Sequence, residues 1–211
     1  MGGFFAKRAE MYDEHMLSGV EGCREGYRQM ARLLPDSAES LLDLGCGTGL
    51  ELGEIFKIKP NLRVTGIDLA KPMLDQLRRK YPDKSLTLLE ANYLDADFGT
   101  EAFDAAVSFE TMHHFSHAEK IRLYEKIRRA LKPGGKYIES DYMVIDQKDE
   151  DFCYAENARL RREQDIPEGA LYHFDTPCTV KNQLAMLQKA GFSKTEAVWR
   201  EGNTTIIVAE R

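Results

Sequence analysis

Residues 40–49 read SLLDLGCGTG, a short apolar run that ends in glycines at three alternate positions, Gly45, Gly47 and Gly49. The run is too short for a helix and has no polar alternation, as expected of a strand buried on both faces of a parallel sheet. The residues that follow, LELGEIF (50–56), turn amphipathic. Strand, glycine loop and helix in this order place a nucleotide-type ligand at the carboxyl end of the strand.

The same rhythm continues along the chain. LRVTGID (62–68) reads as a second strand, and Pro72 then opens a helix carrying Met73, Leu74 and Leu77. SLTLLEA (85–91) and FDAAVSF (103–109) read as the third and fourth strands. Ser116 and Glu119 form a capping box for a helix with Ile121, Tyr124, Ile127 and Leu131, closed by KPGG before a fifth strand at 136–143. Residues 4–17 and 21–34 read as helices ahead of this core, and a charged helix over about 149–165 follows it. After an irregular stretch at 165–177 comes a helix ending at Gly191. Two β-rich runs, 193–200 and 204–210, joined by EGN, predict a hairpin on the sheet edge. The fold expected is α/β, a doubly wound, mostly parallel seven-stranded sheet with a C-terminal antiparallel hairpin and helices on both faces. A single domain is expected: a small N-terminal helical lid (1–37), a core (38–145), a substrate-side insert (146–178) and a C-terminal helix and hairpin (179–211).

The 211 residues suffice for one such domain. The net charge of −6, with lysine and arginine scattered among acids, offers no basic stripe for a long nucleic acid. The four cysteines, Cys23, Cys46, Cys153 and Cys178, have no metal-ligand or CxxC spacing, so neither a metal site nor a redox pair is expected. No stretch approaches the roughly twenty apolar residues of a membrane span, MGGFFAKRAE lacks the apolar core of a signal peptide, and Ala6 stands where a myristoylation motif has Ser or Thr. The expectation is a soluble cytoplasmic chain, monomeric or homodimeric.

The identity of the ligand turns on the glycine spacing. A dinucleotide fingerprint is GxGxxG, with its third glycine beside a pyrophosphate at the helix N-terminus. Here position 50 is leucine and the pattern is Asp43-x-Gly45-x-Gly47-x-Gly49, with no Walker lysine. An acid beside the loop repels a pyrophosphate and suits a cation. Asp68, nineteen residues after Gly49, is placed to accept hydrogen bonds from both ribose hydroxyls.

From about Ser40 to Asp141 the chain resembles the class I S-adenosylmethionine (SAM)-dependent methyltransferases. LDLGCGTG (42–49) is similar to that family's first motif and VTGIDLAKPML (64–74) to its second. LEANYLDADF (89–98) resembles the adenine-binding segment, FDAAVSFETMHHF (103–115) the fourth-strand motif, and IRRALKPGGKYIESDY (127–142) the helix and strand after it. The resemblance implies that Asp43, Gly45, Cys46, Gly47 and Gly49 line the methionine portion and sulfonium of SAM. It implies that Asp68 holds the ribose, that Leu69 and Met73 pack beside adenine, and that Glu110 meets the methionine part. Asn92 stands where the family usually has an aspartate accepting from the adenine amino group, and an amide oxygen also accepts; Tyr93 would flank the ring.

Methyl transfer from a sulfonium is an in-line displacement, in which holding the acceptor opposite sulfur supplies much of the acceleration. A base is required only where the acceptor loses a proton late. The candidates are His113 and His114, of which at most one is expected to face the site, with Asp141 and Tyr142 at the end of strand five and Tyr12 and His15 in the lid. Tyr172, His173 and Phe174 in LYHFDTP (171–177) are candidates for the acceptor wall. There is no Asn/Asp-Pro-Pro-Tyr/Phe motif and no Pro-Cys nucleophile after strand four, which favours a small-molecule acceptor over a base or glutamine amide. The product would be S-adenosylhomocysteine (SAH). Two alternatives stand beside this: a non-catalytic SAM- or SAH-binding protein, and an NAD-dependent oxidoreductase, which shares the strand–glycine–helix–acid logic.

Overall fold

The computed structural model describes residues 9–167, 170 and 172–211, with side chains from Tyr12 onward. The first eight residues, including the start of the helix expected over 4–17, lie outside the described residues, as does Leu171. Two N-terminal helices, α1 (Ala9–Gly19) and α2 (Cys23–Leu33), precede β1 (Ser40–Leu44). The α/β alternation then runs α3 (Leu50–Ile58), β2 (Arg63–Asp68), α4 (Lys71–Lys80) and β3 (Leu86–Glu90). Next come β4 (Phe103–Phe109), a 3₁₀ turn (Met112–His114), α5 (His117–Ala130) and β5 (Leu131–Val144). The chain continues through α6 (Gln147–Glu163), β6 (Cys178–Thr179), α7 (Val180–Lys189), β7 (Lys194–Glu201) and β8 (Thr204–Glu210).

The sheet order is β3-β2-β1-β4-β5-β8-β7. The first five of these strands are parallel, and β8 and β7 join antiparallel, as the hairpin reading expects. Strand order reverses between β1 and β4, so their carboxyl ends open a crevice at the switch point. Into that crevice run the glycine loop after β1 and the Glu110–His114 segment after β4.

Period-two alternation divides the core between the two faces of the sheet. Leu42 and Leu44 of β1 pack with Ile67, Tyr124, Ile127 and Leu187 on one face. Leu41 packs with Met30, Leu52, Ile55 and Ile206 on the other. Helix α2 contributes Cys23, Tyr27, Met30 and Ala31 to that second face.

Helix α5 begins with the expected capping box: Ser116 Oγ accepts the Glu119 N–H, and Glu119 Oε2 accepts the Ser116 N–H at 2.9 Å. Two features differ from the sequence reading. Strand β5 starts at Leu131 rather than 136, because Leu131 already pairs with Phe103 before a register shift around the KPGG turn. The two-residue β6 pairs in parallel with Met143 and Val144, inside a stretch too short and mixed to show strand periodicity.

Candidate active site

Two adjoining cavities open at the switch point. The smaller, about 50 Å³, lies against Gly45, Gly47, Asp68, Leu69, Met73 and Tyr93. The larger, about 680 Å³, is walled by α1, the 3₁₀ turn, the end of the α6–β6 connection and the β7–β8 turn, through Met16, His113, His173, Asp175 and Thr204 among others. Tyr12, Glu110 and His114 line both.

The glycine loop needs its glycines. Gly45 has φ +70°, and a Cβ there would lie 2.8 Å from Thr111 Oγ1. Gly49 has φ +74° and forms the left-handed cap of α3, away from the cavity wall. Asp68 Oδ2 accepts the Gly47 N–H at 3.0 Å and Oδ1 accepts the Ala70 N–H at 2.8 Å. Burial raises the Asp68 pKa against these stabilising bonds, and each carboxylate oxygen keeps a second lone pair for a ligand.

Helix α1 covers the loop. The Tyr12 ring lies 3.7 Å from where a Cβ of Gly47 would be, and burial, with the charges of Glu51 and Asp68, raises its phenol pKa. Asp13 anchors the helix by pairing with Lys80 of α4 and by accepting the Thr48 hydroxyl.

Several sequence candidates sit elsewhere than expected. Asp43 is buried behind the loop rather than on the wall of either cavity: alternation along β1 turns it toward the Leu41 face, under α3. There it couples to Glu51; burial first, then the neighbouring carboxyl, pushes Asp43 well above the ordinary range, and burial lifts Glu51 to about 7. Cys46 also turns inward, its Sγ close against Gly66 of β2. Asn92 lines neither cavity; its Oδ1 accepts the Leu94 N–H at 3.0 Å and its amide donates to Asp95 at 2.8 Å. Tyr93 does line the smaller cavity, its hydroxyl bonded to Thr111. Thr111, unremarked in the sequence, thus touches both Tyr93 and the Gly45 turn.

The segment after β4 carries the polar chemistry. Glu110 takes a left-handed φ of 49°, a strained conformation for a non-glycine residue, and its N–H donates to Ser140 O at 2.8 Å. Burial, together with Asp141, raises its pKa to about 8 against the pull of His113. His113 and His114 both face the larger cavity, contrary to the expectation that one would turn away: the tight 3₁₀ turn brings their rings to 4.2 Å between centroids, edge to face. His113 Nδ1 lies 2.6 Å from Asp141 Oδ1. Burial opposes charge on this imidazole, but Asp141, by charge and hydrogen bond, with Glu110 and Asp175, outweighs it and lifts the pKa to about 9. His114 moves the other way, its pKa lowered by burial and by the charge of His113.

The α6–β6 connection is tied to this turn through the His113 carbonyl, which accepts the Thr176 N–H at 2.7 Å and the Thr176 hydroxyl at 2.9 Å. His173 and Asp175 thereby reach the cavity, while Tyr172 and Phe174 stack on each other outside it. Tyr142 and His15 line the larger cavity as well. Asp175 escapes a sequence reading because no local pattern separates it from other loop acids.

Residues 41–135 match the family described as methyltransferase domain. An uncharacterised methyltransferase of Geobacillus kaustophilus is 29% identical over 202 residues, covering 92% of this chain and 89% of the relative. The O-methyltransferase cnsE of Penicillium expansum is 32% identical over 114 residues, 52% of this chain; the chain spans only 40% of that relative's length. Human N-acetylserotonin methyltransferase, solved in complex with SAM, shares the fold with a TM-score of 0.69 at 15% identity, over 100% of this chain and 56% of the human one. The methyltransferase family matched over residues 41–135, the sheet order and the glycine loop together support a class I SAM-dependent methyltransferase.

Proposed function

We propose that this protein transfers a methyl group from SAM to a small-molecule acceptor held in the larger cavity. The observation that carries this reading is the meeting of the two cavities at Tyr12, Glu110 and His114. A cofactor whose ribose is held by Asp68 and whose adenine packs on Leu69, Met73 and Tyr93 would direct its sulfonium toward that junction. An acceptor atom on the far side would then stand opposite sulfur, as in-line displacement requires. Gly45 and Gly47 let backbone approach the methionine part, and the Asp43–Glu51 pair, sharing one proton, leaves a single negative charge behind the loop, suited to a cationic ligand. Around the acceptor, His113 (held by Asp141) and His114 offer ring nitrogens, and Tyr12 closes the junction from α1.

A cavity of about 680 Å³ fits a small molecule. No described helix is long and apolar enough to cross a membrane.

Titration calorimetry with SAH and with NAD(H), followed by methyl release over a panel of small hydroxy, amino, thiol and carboxylic acceptors, tests the proposal. Micromolar SAH binding without an NAD(H) response, and turnover of at least one acceptor, is expected. An NAD(H) response without SAH binding overturns it. SAH binding with no turnover would instead favour a binding protein that kept the fold.

A further inference from the structure

Four of the chain's five histidines, His15, His113, His114 and His173, line the larger cavity together with Asp175 and Glu110. Within this group the spacings are uneven in an informative way. On one side of the His113 ring, Nδ1 lies 2.6 Å from Asp141 Oδ1, a direct hydrogen bond. On the other side, Nε2 lies 3.6 Å from Asp175 Oδ1, and His114 Nδ1 lies 3.5 Å from the same oxygen. These two distances exceed the roughly 2.7–3.2 Å of an N–H···O bond. They are close to the ~3.3 Å edge of a tetrahedron whose centre is ~2.0–2.1 Å from each nitrogen or oxygen ligand. One ligand atom from each of His113, His114 and Asp175 lies within 4.8 Å of the other two.

We propose that His113 Nε2, His114 Nδ1 and Asp175 bind a divalent transition-metal ion such as Zn²⁺, with its open position facing the acceptor cavity. Two imidazoles and one carboxylate leave a coordination site free, as in catalytic rather than structural zinc centres. Asp141 completes the arrangement: a ligating histidine ordinarily donates its other ring N–H to a carboxylate, which fixes the tautomer and turns the free nitrogen toward the metal. Imidazole and carboxylate ligands suit zinc and its neighbours better than Mg²⁺ or Ca²⁺.

The proposal rests on the reading that the acceptor occupies this cavity, and it narrows the acceptor to one with an oxygen or sulfur atom able to coordinate the ion. That atom gives up its proton to solvent on binding. In the transfer it forms the new bond to the methyl carbon while the carbon–sulfur bond breaks, the pair of electrons stays on sulfur, and SAH leaves neutral. The ion is unchanged.

Among the described residues, two other ligand-rich groups lack this fit. His117, Glu150 and Cys178 also approach one another, but Lys120 Nζ lies 3.2 Å from Cys178 Sγ, so an ammonium already occupies the sulfur. The grouping of Glu110, His113 and Asp141 depends on His113 Nδ1, which Asp141 holds.

The test uses the full chain, stripped with a chelator and dialysed against Zn²⁺, with bound metal measured by elemental analysis and affinity by competition with a chromophoric chelator. One equivalent is expected in the wild type. Asp175→Ala, at a half-exposed side chain, and His114→Gln are each expected to lower Zn²⁺ affinity at least tenfold, Asp141→Asn by roughly ten- to a hundredfold, and Cys178→Ser not at all. Circular dichroism melts establish that each variant is folded. Failure to bind one equivalent of Zn²⁺, Co²⁺, Ni²⁺ or Mn²⁺ overturns the proposal. So does stoichiometric binding that survives both Asp175→Ala and His114→Gln in folded protein. SAH titration on the wild type and on Asp175→Ala reads the methyl-transfer proposal separately, because Asp175, unlike His114, does not line the cofactor cavity.

Discussion

Asp68 Oδ2 accepts the backbone N–H of Gly47 at 3.0 Å, so the end of β2 and the glycine loop after β1 are locked to each other. One carboxylate thus sets the shape of the loop and faces the position proposed for the ribose. Asp68→Ala removes both the loop anchor and two charge-assisted acceptors, and should weaken SAH binding by about 1.5–3 kcal/mol, roughly ten- to a hundredfold in Kd. Calorimetry on folded protein checks this, and an unchanged Kd would show the ribose lies elsewhere.

Gly45 and Gly47 both have positive φ, but only one is also crowded. A Cβ on Gly45 would meet Thr111 Oγ1 at 2.8 Å and Thr111 Cβ at 3.1 Å, whereas the nearest distal atom to a Cβ on Gly47 is Tyr12 Cε1 at 3.7 Å. Gly47→Ala should therefore cost only the left-handed backbone penalty, about 1–2 kcal/mol. Gly45→Ala adds overpacking and should cost about 2–4 kcal/mol. Urea unfolding of both variants decides; equal losses would mean that Thr111 yields freely.

The inner parallel strands β1, β2 and β4 were legible because their largely buried residues make apolar runs bounded by glycine and acid, as in SLLDLG and VTGID, whereas β3, at the sheet edge, is half-exposed. Asp68, Leu69, Met73 and Tyr93 were legible for the same reason, since their places follow from the ends of those strands. Asp43 lies off the wall of both cavities because strand alternation, not proximity to the loop in sequence, decides which face its side chain takes. The Asp141–His113–Asp175 grouping was not legible as a unit. It joins residues from β5, a 3₁₀ turn and a distant loop, and only the Thr176 bonds to the His113 carbonyl bring the last of these into place.

Asp13 pairs with Lys80 and accepts the Thr48 hydroxyl, and these polar ties hold α1 over the glycine loop. With the two side chains about 30% exposed, the pair contributes about 0.5–1 kcal/mol. Asp13→Ala should accordingly raise both the association and the dissociation rate of a fluorescent SAH analogue by a factor of about 2–5, with a smaller change in Kd. Stopped-flow traces identical to wild type would show that α1 does not gate the cofactor cavity.

The buried pair Asp43 and Glu51 should leave a signature in the pH dependence of stability. Burial lifts Glu51 from 4.5 to about 7 and holds Asp43 well above 3.8, and the two are close enough to share a proton across a carboxyl–carboxylate hydrogen bond. A group whose folded pKa is raised binds its proton more tightly in the native state. Its stabilising contribution is therefore complete below about pH 4.5 and is lost as pH rises through about 7. Between pH 5 and 8 this loss should be on the order of 1–3 kcal/mol, since each pH unit by which the folded pKa exceeds the unfolded one is worth about 1.4 kcal/mol. Glu51→Gln removes one acid and gives Asp43 an amide donor, so the variant should lose less stability than wild type over that interval. A residual slope is expected from Glu110 and Glu139, which burial lifts to about 8 and about 7. Urea midpoints measured at pH 5, 6, 7 and 8 for both proteins compare the slopes directly. Parallel curves would mean that Asp43 and Glu51 are already ionised together at pH 5, with Lys80 and the loop amides carrying both charges.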